Sequence, residues 1–466
     1  MVTLSAIDYT IVVLFLVTLL ALGFSARLRD SSLMQYLMAG RNLSIPMFVA
    51  TLVCTWYGGI LGMGESASYY GYGTWLMLGV PYYVFAGIYA FFLVNRVRGA
   101  AEISIPERLA QTYGRPMGLL GASLLFLLAV PSAHVLMLGT LVQAVTGWPL
   151  LSAITIAAIG GSLFLYRGGL LADVRASMLA FVMMYLGFIV IVATCFAHHP
   201  AALNQLQGQP TGTFTGGQSW TMILSFFILG AWTLVDPGFH QRAASAATPE
   251  LGRQGLIWCI FFWLVFDFLS ITAGLFAFTL LKPAPQNSLL MYPGLAEQVL
   301  PSGLKAVFLC GVMGTILCAM VGYALISGAT FGREIIGQLK PQLADSQVKN
   351  VTRFGIALGI ALAILIGAKT ESVVQIWYSW GGIVTGSLLI PVVTSYVAPK
   401  RFSATVVFIA TASAFILSLS MWLRGLSSNN PYLVFNWGGV DISVGTLLPG
   451  LIVSGTTFLL GSLANK

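Results

Sequence analysis

Charge is the scarcest property of this sequence. Only 8% of its 466 residues are Asp, Glu, Lys or Arg, and just 14 are acidic. A soluble domain carries about 25% charged residues, so an ordinary water-facing surface is excluded. Cysteine is sparse too. The five (Cys54, Cys195, Cys259, Cys310 and Cys318) fall in apolar stretches, are odd in number and form no CxxC pair. Neither a disulfide framework nor a cysteine metal site is expected, and a small buried hydrophobe is the plain role. His198 and His199 have no further ligands at zinc spacing and read as solvated. No nucleophile–base constellation or phosphate loop stands out, so no enzyme and no cofactor are expected. Gly62-Met63-Gly64-Glu65-Ser66-Ala67 has the spacing of a dinucleotide fingerprint. It lies in an apolar segment with no strand before it, which disqualifies it.

Apolar sequence is what there is. With 58% hydrophobic residues and a mean hydropathy of +0.89, the chain reads as an all-α polytopic membrane protein. A span needs about 20 apolar residues. Thirteen are expected, at 7–26, 45–71, 75–95, 117–146, 150–167, 173–197, 218–240, 255–281, 304–332, 351–369, 372–397, 403–423 and 443–462. The first is too long for a signal peptide and is followed by Arg27 and Arg29 without a cleavage site, so it reads as a retained span. With the N-terminus outside, 18 of the 22 basic residues, from Arg27 through Arg242 to Lys400, Arg401 and Lys466, fall on the cytoplasmic side. Only Lys282, Lys305, Lys369 and Arg424 fall outside. That asymmetry orients a multi-pass protein, C-terminus inside, in the cytoplasmic (inner) membrane of a bacterium. The net charge of +8 serves topology, so the lipid bilayer is a partner and nucleic acid is not.

Two spans are interrupted. The second carries Gly58 and Gly59 at its middle, between Thr55-Trp56-Tyr57 and Glu65, and the seventh is broken near Gly230 and ends at Asp236-Pro237-Gly238. Loosened backbone at membrane depth survives only where it is buried in protein or lines a cavity. Without the first span and the last two, ten remain, and the breaks fall at corresponding places in two five-span halves. That is the pattern of a 5+5 inverted-repeat transporter with discontinuous first and sixth core helices. Four segments follow: a peripheral helix and loop (1–44), core repeats at 45–197 and 218–397, and two peripheral helices (403–466).

At this point the sequence resembles the sodium:solute symporter family, which includes sodium-coupled sugar, proline and sialic acid carriers. The resemblance is carried by Asp8-Tyr9, the run Tyr36 to Arg41, Ser104-Ile105-Pro106-Glu107-Arg108 with Tyr113-Gly114, Gly168-Gly169-Leu170, Pro237 with Gln241-Arg242, and Trp380-Gly381-Gly382. It implies the same ten-helix core. It also implies a sodium site formed by hydroxyls of a Met-Ser-Thr-x-Asp-Ser run in the ninth span and carbonyls of the broken span, here around Val53 and Trp56. This sequence departs from that pattern. The run aligns with Leu317-Cys318-Ala319-Met320-Val321-Gly322, leaving Thr315 as the nearby hydroxyl, and the Thr-Asp of the sixth span becomes Ala176-Ser177. A hard cation needs oxygen ligands, which thiol and methyl groups replace poorly. The sodium site is expected to be lost, and no strong metal site remains.

Ionisable residues within spans are then the candidates for ion coupling: Glu65, His134 and Asp267, beside Ser177, Cys318 and Ala319 of the altered site. Asp173 and Asp236 lie nearer span ends and read as solvated helix termini. Thr55, Trp56, Tyr57, Gly58, Gly59, Glu65, Trp232 and Trp380 are the expected substrate contacts, with Tyr82, Tyr83 and Trp377 as further aromatic walls. Lipid-interface anchoring is the plainer role for Tyr82 or Trp377. The expected function is alternating-access transport of a small polar organic solute, coupled to protons or facilitative. A sodium symporter with a modified site and a transporter-fold membrane sensor are the alternatives. The sequence specifies neither the solute nor the oligomeric state.

Overall fold

A computed structural model of the chain describes residues 2–464 apart from 31, 371 and 400. Lys400 and Lys466, counted above as cytoplasmic charges, lie outside the described residues. A chain in hydrocarbon must satisfy its backbone polar groups internally, and the apolar runs accordingly close into helices. These are α1 (Ala6–Phe24), α2 (Ile45–Tyr70), α3 (Trp75–Gly99), α4 (Arg115–Thr146), α5 (Leu150–Ser162), α6 (Leu165–His198), α7 (Trp220–Ser245), α8 (Pro249–Leu280), α9 (Leu304–Gly337), α10 (Asp345–Gly367), α11 (Val373–Val397), α12 (Ala404–Ser427) and α13 (Leu447–Leu463). Eleven of them are long and apolar enough to cross a membrane; α5 and α13 are shorter and stand where the fifth and last spans were expected. The 13 residues of α5 rise only about 20 Å at roughly 1.5 Å per residue.

Helix starts follow local capping chemistry. Ser5 and Asp8 form a reciprocal capping box at α1, and the Thr248 hydroxyl accepts the Leu251 N–H ahead of Pro249 at α8. Burial sorts the helices into layers. In α4 and α9, 83% of the most apolar window is buried, against 22% in α1 and 28% in α12. The first two therefore form the centre and the last two the lipid-facing periphery. Helix α6 runs along α9 and against α2, and α1 flanks the α6–α9 pair. Phe91, Phe92, Phe268 and Leu459 stand exposed on the outside, as a hydrocarbon-facing surface requires. Beyond the spans, burial raises the Glu297 carboxyl, but hydrogen bonds from Lys305 and Thr3 outweigh it and hold the group below its usual range.

Several boundaries differ from expectation by five residues or more, and one further element was not expected. Helix α6 starts at Leu165 rather than 173, across a non-helical residue at Gly169 (φ 54°, ψ −139°). Helix α7 continues to Ser245 instead of ending by 240, so Gln241 and Arg242 lie within it. Between α12 and α13 an antiparallel hairpin pairs β1 (Val434–Trp437) with β2 (Val440–Ser443), a place expected to be loop. Its turn is Gly438-Gly439, both at positive φ (59° and 85°), a conformation that strongly favours glycine pairs.

Candidate functional site

The two interruptions lie against one another's surroundings. In α2 the helix tightens into a 3₁₀ turn at Tyr57–Gly59 and resumes at Ile60. In α7 a 3₁₀ turn at Gly230–Leu234 is followed by Val235 and by Asp236 in extended conformation, and a new helix starts at Pro237. Asp236 caps that start, its Oδ1 accepting the Phe239 N–H at 2.9 Å. Between the breaks lies a cavity of about 210 Å³, lined by residues of α2, α3, α4, α7, α9, α10 and α11.

Of the expected substrate contacts, Thr55, Trp56, Tyr57, Gly59, Trp232 and Trp380 line this cavity, and so does His134. Gly58 and Glu65 do not. Glu65 is buried beside the start of α11, near Ser372, and its Oε2 has no hydrogen-bond partner. Gly58 is pressed against α9: a Cβ there would stand 1.9 Å from the Ala319 Cβ and 2.9 Å from His134 Cδ2. At Gly59 a Cβ would stand 2.2 Å from the Trp377 ring. The glycines thus serve close approach. The lipid-anchor reading of Tyr82 and Trp377 is corrected. Tyr82 is buried with its ring centroid 4.2 Å from that of Trp56, and Trp377 covers the break at Gly59, both on the cavity wall.

Asp267 is buried one layer behind the cavity. It accepts hydrogen bonds from Tyr57 Oη at 2.7 Å and from Tyr83 Oη. His134 stacks on Tyr323 with centroids 5.4 Å apart, and its Nδ1 is buried without a partner. Tyr323 in turn donates to Asp236 Oδ2 at 2.8 Å. Sequence reasoning missed Tyr323 and Ser132 on this wall. Tyr323 sits in an apolar run without a signal of its own, whereas Ser132 lies between Pro131 and His134, the signal that could have found it.

The residues of the altered sodium region are buried. Thr315 donates to carbonyls of its own helix, Val312 at 2.9 Å and Gly311 at 3.3 Å. Val53, Ser177 and Cys318 are buried, and the Cys54 thiol donates to the Ser177 carbonyl at 3.4 Å. Beside them lies a feature that corrects two expectations. Asp173 is fully buried, not a solvated terminus, and Arg242 is fully buried rather than cytoplasmic. Arg242 Nη2 donates to Asp173 Oδ2 at 2.8 Å and to Thr55 Oγ1 at 3.1 Å. Asp236, 4% exposed, is likewise a buried helix terminus rather than a solvated one. The physical reason is common to both: a helix that breaks and restarts inside a bundle carries its polar terminus into the interior. Arg242 therefore leaves the tally of cytoplasmic charges.

Two discontinuous helices facing a central cavity in a helical bundle define the inverted-repeat class of membrane-transporter folds. The chain belongs to the sodium:solute symporter family, whose model matches residues 36–402. Among curated relatives, a sodium/glucose cotransporter 4 of Danio rerio is 22% identical over 427 residues, covering 78% of this chain and 63% of its own length. The uncharacterized symporter YidK of Escherichia coli strain K12 is 22% identical over 395 residues, covering 77% of this chain and 68% of its own. The chain thus spans about two thirds of the length of these relatives. Among solved structures, a substrate-bound, outward-open sodium-coupled sialic acid symporter superposes with a TM-score of 0.79 at 14% identity, covering 99% of this chain and 98% of that one. The transporter MHP1 of the nucleobase-cation-symport-1 family follows at 0.61 and 14%, covering 94% and 95%. At such identity these likenesses concern the fold alone. Relatives and neighbours alike are transporters rather than enzymes.

Proposed function

We propose that the protein is a secondary transporter that carries a small polar organic solute across the cytoplasmic membrane of a bacterium without the sodium site usual in its family. The two repeats, 45–197 and 218–397, move against one another about the cavity between the breaks. The N-terminus lies outside and the C-terminus inside. The observation that supports the reading is the close approach of Gly58 to Ala319: where the family pattern supplies hydroxyls facing the broken helix, a methyl group lies against the break, and a Cβ at Gly58 would stand 1.9 Å from it. Protons are the coupling ion this reading favours. Glu65, His134 and Asp267 are buried ionisable groups at membrane depth, which are functional by default. Gradient-driven uptake into proteoliposomes tests the reading. Uptake against a gradient should follow an imposed pH difference, and be lost in at least one of Glu65→Gln, His134→Gln and Asp267→Asn. If an imposed sodium gradient alone drives accumulation, the reading is overturned; if neither gradient does, transport is facilitative.

A further inference from the structure

Charge is distributed unevenly around the cavity. Among the described residues that line it, none is Lys or Arg, and Asp236 is the one carboxylate. The nearest guanidinium, Arg242, is committed to Asp173 in a fully buried ion pair. Asp173, Arg242 and Asp236 together thus carry one net negative charge when ionised, and Asp267 behind Tyr57 adds a second acidic group. A broken helix in a transporter presents the N-terminus of its second half to the cavity, the natural site for an anionic group of a substrate. Here that terminus is occupied. Asp236 Oδ1 takes the Phe239 N–H, so the helix start is satisfied by the protein's own carboxylate.

The rest of the wall is aromatic. Trp56, Trp232, Trp377 and Trp380 line the cavity with Tyr82 and Tyr323. Indole faces carry a negative quadrupole and attract organic cations, by about 0.5–2 kcal/mol per contact depending on desolvation. Two buried ring nitrogens on this wall, His134 Nδ1 and Trp232 Nε1, have no hydrogen-bond partner in the protein. A buried polar atom left unpaired is costly; Nδ1 of a neutral His134 can accept from an ammonium N–H, whereas the Trp232 indole N–H is a donor only and needs an acceptor.

From this juxtaposition of four indoles, a lone carboxylate on a capped helix start and no basic residue, we propose that the cavity binds a small organic cation, an ammonium or cationic heterocycle with a planar apolar body, and rejects organic anions. The inference names the substrate class for the site proposed above and rests on that reading for transport, though not for binding.

Three probes of similar size but different charge test it on the purified full chain: 2-phenylethylammonium, 2-phenylethanol and phenylacetate, with affinity read by titration calorimetry. The ammonium should bind about tenfold more tightly than the alcohol, and phenylacetate should not bind over the same concentration range. Asp236→Asn should abolish the difference between ammonium and alcohol. Asparagine caps a helix as well as aspartate does, so the fold is kept, and an unchanged thermal unfolding midpoint checks this. Phenylacetate binding as tightly as the ammonium, no binding by any probe, or an unchanged preference in Asp236→Asn would each overturn the proposal. Proteoliposome flux of the labelled ammonium separates the two readings. Binding without flux would defeat transport but leave the ligand class standing, whereas flux of an anion only would defeat the ligand class and leave transport standing.

Discussion

Arg242 shows how much a single residue can escape notice in a sequence and still organise a site. In the sequence it follows a Pro-Gly turn signal and a polar run, Asp236-Pro237-Gly238-Phe239-His240-Gln241, which reads as the end of a span. In the structure that run is a helix start inside the bundle, and the guanidinium meets Asp173 and Thr55. The pairing itself leaves no trace in either segment, because a contact between residues 69 positions apart has no periodicity. Breaking a buried pair leaves an uncompensated charge. Asp173→Asn should therefore destabilise the protein by about 3–5 kcal/mol, whereas replacing both partners with apolar residues of similar size should cost much less. Thermal unfolding in detergent of the single and double variants measures the difference. Equal losses in both would contradict the assignment of the pair as mutually compensating.

At the scale of the element, the two breaks were legible because glycine pairs and a Pro-Gly turn stand out in apolar runs. The aromatic wall was legible only in part: Trp56, Tyr57 and Trp232 stand beside the breaks, whereas Tyr82, Trp377 and Tyr323 reach the cavity from helices distant in sequence. What lies opposite each break was not legible. Gly58 faces Ala319 and Gly59 faces Trp377, contacts set by how α2 packs on α9 and α11. The substitution at 319 consequently removes more than a hydroxyl. The space a larger side chain would need is taken by the backbone of the break. Gly58→Ala should overpack this contact, at a cost of about 1–3 kcal/mol, and slow transport. Ala319→Gly in the same chain should recover part of both losses. Stability and solute flux of the single and double variants test the pairing, and failure of the second change to rescue either one would refute it.

For the whole molecule, composition and spacing were enough to place the helices, and Ala176-Ser177 and Cys318-Ala319 stand out as departures from the family pattern. Sequence alone did not show that α5 is short or that a hairpin precedes α13, since hydropathy windows average over ends and turns. We propose that this molecule keeps the symporter architecture without the sodium dependence usual in its family. A ligand shifts a conformational equilibrium only through different affinities for its two states. With Ala319 against the α2 break and Arg242 already bonded to Thr55 and Asp173, sodium has little to distinguish the states by. The direct measurement is solute affinity of the purified protein in sodium chloride and in choline chloride at equal ionic strength. The account predicts affinities that agree within about twofold, a coupling of roughly 0.4 kcal/mol or less. Tightening by sodium of tenfold or more, about 1.4 kcal/mol, would show a working sodium site and contradict it.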